Sequence, residues 1–115
     1  RLLPKFLSPQ ALQNEQLTQS VTQMAETIGQ HNFALQQKAI SGRIDQRPHL
    51  QSYTAPSCVV CGVNDELTPP ELSFEMAELL SNCELRLLEK TGHLSTMEAP
   101  ELCLEVMQCL IERAG

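Results

Sequence analysis

Hydrophobic positions along the chain follow two different rhythms. Between residues 8 and 29, Leu17, Val21, Met24 and Ile28 recur every three or four places among glutamines and other polar residues, the spacing of a helix with one buried stripe and solvated remaining faces. Ser8 and Pro9 supply a cap and a first helical residue and Gly29 a stop, so a helix is predicted over 8–29. A second, shorter helix is predicted from Phe33 to Ile40, capped by Asn32 and ended by Gly42. Pro48 then restarts the chain, and a polar stretch leads to Pro56.

At residue 57 the rhythm changes. "SCVVCG" is a nearly continuous β-branched and apolar run of strand length, as in a parallel sheet covered on both faces. The next helix is predicted to start at a capping box made by Thr68 and Glu71, with Pro69 and Pro70 at its first positions and Leu72, Met76, Leu79 and Leu80 on its apolar face. "ELRLLE", residues 84–89, reads as a second strand, and a last helix from Ala99 turns Leu102, Val106, Cys109 and Leu110 inward. The order helix, helix, strand, helix, strand, helix predicts an α/β fold with a parallel sheet, whose ligands bind beyond the carboxyl ends of the strands. Asp65 and His93 both fall there. A right-handed crossover can set their two strands side by side despite the 28 positions between them.

Composition narrows the partners. With 115 residues and 42% apolar content the chain is one domain or a piece of one, able to build a modest core. A formal charge of −6, with 8 Lys and Arg and no basic stripe, argues against nucleic acid or an anionic membrane as partner. The chain starts at Arg1, shows no signal pattern and has no apolar run of bilayer-spanning length, so the expectation is a soluble protein, open to being cut from a longer one. Five cysteines, an odd number, suggest reduced thiols in a cytoplasmic setting. Cys58 and Cys61 form a C-x-x-C, but three positions apart in a strand they point to opposite faces, against a redox pair or a zinc site. Cys83, Cys103 and Cys109 are expected to pack as small hydrophobes. His31 and His49, in polar stretches without partners at metal-ligand spacing, are expected on the surface, and neither a metal nor a cofactor is called for.

The chemistry lies in the pair. A neutral imidazole takes a proton near pH 7, its unperturbed pKa being about 6.5. A carboxylate bonded to one ring nitrogen fixes the tautomer, aims the other nitrogen outward and stabilises the imidazolium that forms. Asp65 and His93 suit those two roles, with Gly62 and Gly92 giving the tight turns after each strand. Singly, such an Asp is more often a helix cap and such a His more often a structural turn residue; their joint placement favours the catalytic reading.

"PSCVVCGVNDELTPPE" followed by "ELRLLEKTGHLSTMEAPE" resembles the end of the α/β-hydrolase fold family. G-x-x-D-x-x-T-P, the G-H turn and the later E-x-P occur in order and in the right elements over about residues 56 to 114. The resemblance implies a C-terminal part of that fold, with residues 56–115 as the strand-helix-strand-helix end of the core and residues 1–55 as the last helices of a cap or lid plus a linker. It makes Asp65 the triad acid and His93 the triad base. In such enzymes the nucleophile precedes both, on a G-x-S-x-G elbow with the oxyanion donors nearby. None of the five glycines, at 29, 42, 62, 92 and 115, builds that elbow. Family members with Ser or Cys act on esters, lactones and related carbonyl compounds, while those with Asp open epoxides or displace halide, typically with Tyr or Trp donors near the cap. There is no Trp here and the single Tyr, Tyr53, lies close to the strand, which favours a small carbonyl substrate and an upstream Ser. Leu67 and Leu94, next to the acid and the base, are candidate pocket walls, or else core packing. The isolated chain is expected to be inactive. The competing reading is a non-catalytic hydrolase-like domain acting through protein binding or self-association, because two strands without the rest of their sheet leave edges open.

Overall fold

A computed structural model describes residues 2–115. Its elements are α1 (Leu3–Phe6), a 3₁₀ turn over Ala11–Gln13, α2 (Glu15–Ser41), α3 (Arg47–Ser52), β1 (Ser57–Gly62), α4 (Pro70–Leu79), β2 (Cys83–Leu88), α5 (Ser95–Glu98) and α6 (Pro100–Ala114). β1 and β2 pair in parallel, from Ser57 opposite Cys83 to Gly62 opposite Leu88. The α4 crossover packs on both strands and α6 on β1. This is the α/β order expected from the sequence.

β1 occupies the residues the apolar run marks, and β2 begins one residue earlier than expected. Coverage is less complete than a two-sided parallel strand implies: Val59 and Cys61 are buried, whereas Cys58 and Val60 on the opposite face are half-buried and Leu87 of β2 is exposed. Cys103 and Val106 of α6 are buried as well, while Cys58, Cys83 and Cys109 are half-buried free thiols. Burial pushes the Cys58 thiol above its ordinary pKa.

A second cluster forms around Leu7, Ala11 and Val21, with Leu3, Phe6, Leu12, Leu17, Leu94 and Met97 against it. The expected helix over 8–29 therefore begins later. Asn14 is the cap, its Oδ1 accepting the Leu17 N–H at 3.1 Å, and the Ser8 hydroxyl instead closes the 3₁₀ turn by accepting the Ala11 N–H at 3.2 Å. Gly29 does break the helix, at φ 76°, but helical geometry resumes immediately. Asn32 is thus inside the helix, donating to the Ile28 carbonyl rather than capping. Only the first half of the stripe is covered: Val21 is buried, whereas Met24 and Ile28 are exposed, as is every residue from 30 to 49. The α4 face is similar, with Leu72 and Met76 exposed and Ser73 buried. Leu102 of α6 faces solvent as well. Among the described residues no helix is long and apolar enough to cross a membrane.

Candidate active site

The turns after β1 and β2 are one structure. Val63 N–H extends the ladder to the Leu88 carbonyl at 2.9 Å, and Asn64 N–H reaches the Thr91 carbonyl at 2.8 Å. They approach so closely that a Cβ on Gly62 would overlap the carbonyl oxygens of Thr91 and Gly92. Glycine is required there by contact, beyond any turn preference. The second turn enters through Lys90, whose φ of 52° is left-handed and directs Thr91, Gly92 and His93 back over the end of β1.

Asp65 is 7% exposed, and its carboxylate meets donors on both oxygens. Oδ1 accepts the backbone N–H groups of Leu67 and Thr68, each at 3.0 Å. Oδ2 accepts the Thr68 hydroxyl at 3.1 Å and faces His93 Nδ1 at 3.0 Å. The expected capping box does not form. Helix α4 starts at Pro70 with Pro69 as its cap residue and no side-chain cap bond, since the proline ring carries no acceptor to give one; the Thr68 hydroxyl goes to Asp65 instead.

Burial raises the Asp65 carboxyl, but the hydrogen bonds from Thr68 N–H, the His93 ring and the Thr68 hydroxyl outweigh it and hold its pKa below the ordinary carboxylate value. An ionised carboxylate only accepts, which assigns the proton to Nδ1 of His93. In a neutral ring, Nε2 then keeps the lone pair. The His93 side chain is 34% exposed, and among the described residues no side chain bonds its Nε2. The Phe6 ring stands 6.2 Å from the imidazole, tilted at 56°. An open cavity of about 350 Å³ adjoins the pair, lined among others by Asp65, Thr68, Leu72, Met76, His93 and Ser95.

The two sequence-predicted polar residues are thus together. Leu67 contributes its N–H to Asp65 and its side chain is exposed. Leu94 packs on the Leu7 cluster and donates its N–H to the Phe6 carbonyl at 3.1 Å. Neither lines the cavity. His31 and His49 are exposed, His49 meeting Gln46 at 2.8 Å. Sequence reasoning missed Thr68 as a partner of the pair, although its place three residues after Asp65 carried a signal. It also missed the contact of Phe6 with His93, for which no sequence signal exists.

No protein-family model matches the sequence, and no curated protein matches it. Solved structures do. An esterase from Thermogutta terrifontis aligns with TM-score 0.89 at 22% identity, over 99% of this chain and 43% of its own. The α/β hydrolase enzyme MGS-MChE2, from a sediment metagenome of the Mar Chica lagoon in Morocco, aligns with TM-score 0.65 at 28% identity, over 80% of this chain and 43% of its own. Rv0554 of Mycobacterium tuberculosis aligns with TM-score 0.59 at 27% identity, over 64% and 27%. The chain thus spans less than half the length of each of these proteins.

Proposed function

The chain has the C-terminal part of an α/β-hydrolase fold, and on that premise we propose that Asp65 and His93 are the acid and base of a hydrolase acting on a small ester, lactone or related carbonyl substrate. The observation that carries the reading is the 3.0 Å contact of His93 Nδ1 with the buried Asp65 carboxylate, beyond the carboxyl ends of two adjacent parallel strands. In this reading a serine outside these 115 residues is the nucleophile. Its hydroxyl gives its proton to His93 Nε2 as the oxygen attacks the carbonyl carbon; Asp65 stabilises the resulting imidazolium, which returns the proton to the departing alkoxide.

The test joins the chain to a nucleophile-bearing N-terminal part of the same fold and follows hydrolysis of a chromogenic ester. Asp65→Asn and His93→Ala should each lower turnover by roughly three to four orders of magnitude, as in serine proteases. Unchanged turnover in either variant rejects the assignment. The chain alone should give no saturable hydrolysis. A second reading, a hydrolase-like domain acting through association, draws on the exposed apolar residues of α6, Leu104, Met107 and Ile111.

A further inference from the structure

Glu98 forms no hydrogen bond with Asp65 or the His93 ring among the described residues, yet its carboxylate gathers three donors from opposite ends of the chain, at Ser8 and Gly92. Oε1 accepts the Ser8 N–H at 3.2 Å and the Ser8 hydroxyl at 2.7 Å. Oε2 accepts the N–H of Gly92 at 3.0 Å. Among the described residues no Lys, Arg or His forms an ion pair with it, and these three hydrogen bonds are its polar contacts there. Bonds to an ionised acceptor are about twice as strong as neutral ones.

What Glu98 holds is the backbone on one side of His93. The other side is held too, because the Leu94 N–H donates to the Phe6 carbonyl at 3.1 Å. Both neighbours of His93 are therefore tied to the segment Phe6–Ser8, and the Phe6 ring stands beside the imidazole itself. Ser8 is fully buried and its hydroxyl is used twice, donating to Glu98 and accepting from Ala11. There is no slack in the junction: a Cβ on Gly92 would come within 2.7 Å of the Ser8 nitrogen and 2.9 Å of Glu98 Oε2.

We propose that Glu98 and Ser8 form a buckle that sets where His93 stands, and that Glu98 is a positioning residue for this imidazole. The proposal rests on His93 being the base. The bond to Asp65 fixes rotation of the ring, but a hydrogen bond at one ring nitrogen does not fix the backbone from which the ring hangs. The buckle does, and it makes residues 6–8 part of the site although they lie 85 or more positions from His93 in the chain.

Nuclear magnetic resonance of the intact chain with ¹⁵N-labelled histidine tests this, the His93 signals being assigned by their loss in His93→Gln. Glu98→Ala should move the two ring nitrogens toward the averaged shifts of a free imidazole, and speed exchange of the Gly92 and Ser8 amides at least about tenfold. Glu98→Gln, which keeps one acceptor oxygen, should move both readouts less and in the same direction. A loss of thermal stability in Glu98→Ala with the ring nitrogens unmoved would mean a structural role only and overturns the proposal. Should Glu98→Ala not fold, Ser8→Ala carries the test, and unmoved ring nitrogens there overturn it equally. Asp65→Asn separates the two readings. If that variant leaves the ring nitrogens unmoved, the acid–base pair is rejected, while amide exchange at Gly92 still judges the buckle.

Discussion

Thr68 and Asp65 are joined twice: the backbone N–H of Thr68 bonds Oδ1 of Asp65 at 3.0 Å and its hydroxyl bonds Oδ2 at 3.1 Å. The hydroxyl oxygen also lies 3.3 Å from His93 Nδ1, so it sits between acid and base. Thr68→Val keeps the shape and the backbone bond but removes the hydroxyl. It should cost about 2 kcal/mol in urea denaturation, the usual net worth of a hydrogen bond to a charged group, and Thr68→Ser should recover most of that. A valine variant as stable as the parent would show that the hydroxyl is not coupled to the carboxylate.

The lowered pKa of Asp65 has a consequence for acid stability. Burial raises this carboxyl, and the bonds from Thr68 and His93 more than reverse the effect. A carboxyl that is more acidic folded than unfolded binds its proton more readily in the unfolded chain. Its stabilisation is therefore complete above the unfolded value of about 3.9 and is lost as pH falls through the lower folded value. The stability difference between the parent and Asp65→Asn should shrink as pH is taken from 5 downward. Asp45 is the control: the Arg47 side chain holds its pKa down to about 2, but it is fully exposed, and solvent screening makes such pairs weak. Asp45→Asn should leave the acid limb nearly as it was. A parent–Asp65→Asn difference constant from pH 6 to pH 2 contradicts the argument.

The meeting of the two turns depends on Gly62. An added methyl would overlap the Thr91 and Gly92 carbonyls, and both belong to backbone, which cannot swing aside as a side chain can. Gly62→Ala should destabilise by about 2 kcal/mol or more and pull the Asp65 turn from His93. Gly42→Ala is the comparison, because the nearest atom to its Cβ is 3.6 Å away. That change should stay within about 0.5 kcal/mol of the parent. Equal effects of the two substitutions in thermal unfolding would refute the role given to the close approach.

Much of this was legible in the sequence because it is local. The run of Cys58, Val59, Val60 and Cys61 between Pro56 and Gly62 defines β1, and Gly29 marks the break in α2. Asp65 and His93 were legible because each follows a strand and a glycine. What sequence reasoning missed are places where a distant partner claims a side chain. Ser8 has the look of a helix cap, but its hydroxyl donates to Glu98, 90 residues away, and the cap falls to Asn14. Thr68 has the look of a capping-box residue, but its hydroxyl goes to the carboxylate of Asp65 and the cap position falls to Pro69, whose side chain has no acceptor. The stripe from Leu17 to Ile28 was read correctly as helical, yet periodicity carries no information on which part of a stripe finds a neighbour, and only Val21 is buried.

That uncovered apolar surface leads to an expectation for the chain alone. β1 and β2 form a two-stranded sheet, a size that is at best marginal by itself, and each strand has an outer edge without a partner among the described residues. Open edges are templates for another chain. Leu87, on β2, is 40% exposed, and along α6 the exposed Leu104, Met107 and Ile111 recur at helical spacing. Joining strands across a pair of chains would extend the sheet and cover part of this surface. Sedimentation equilibrium should therefore show a mass above that of one chain, rising with concentration. Leu87→Lys, a charge of the kind that blunts natural edges, should shift the distribution toward monomer, and Met107→Glu should do so if α6 shares the contact. A parent that sediments as a clean monomer at high concentration rules the association out.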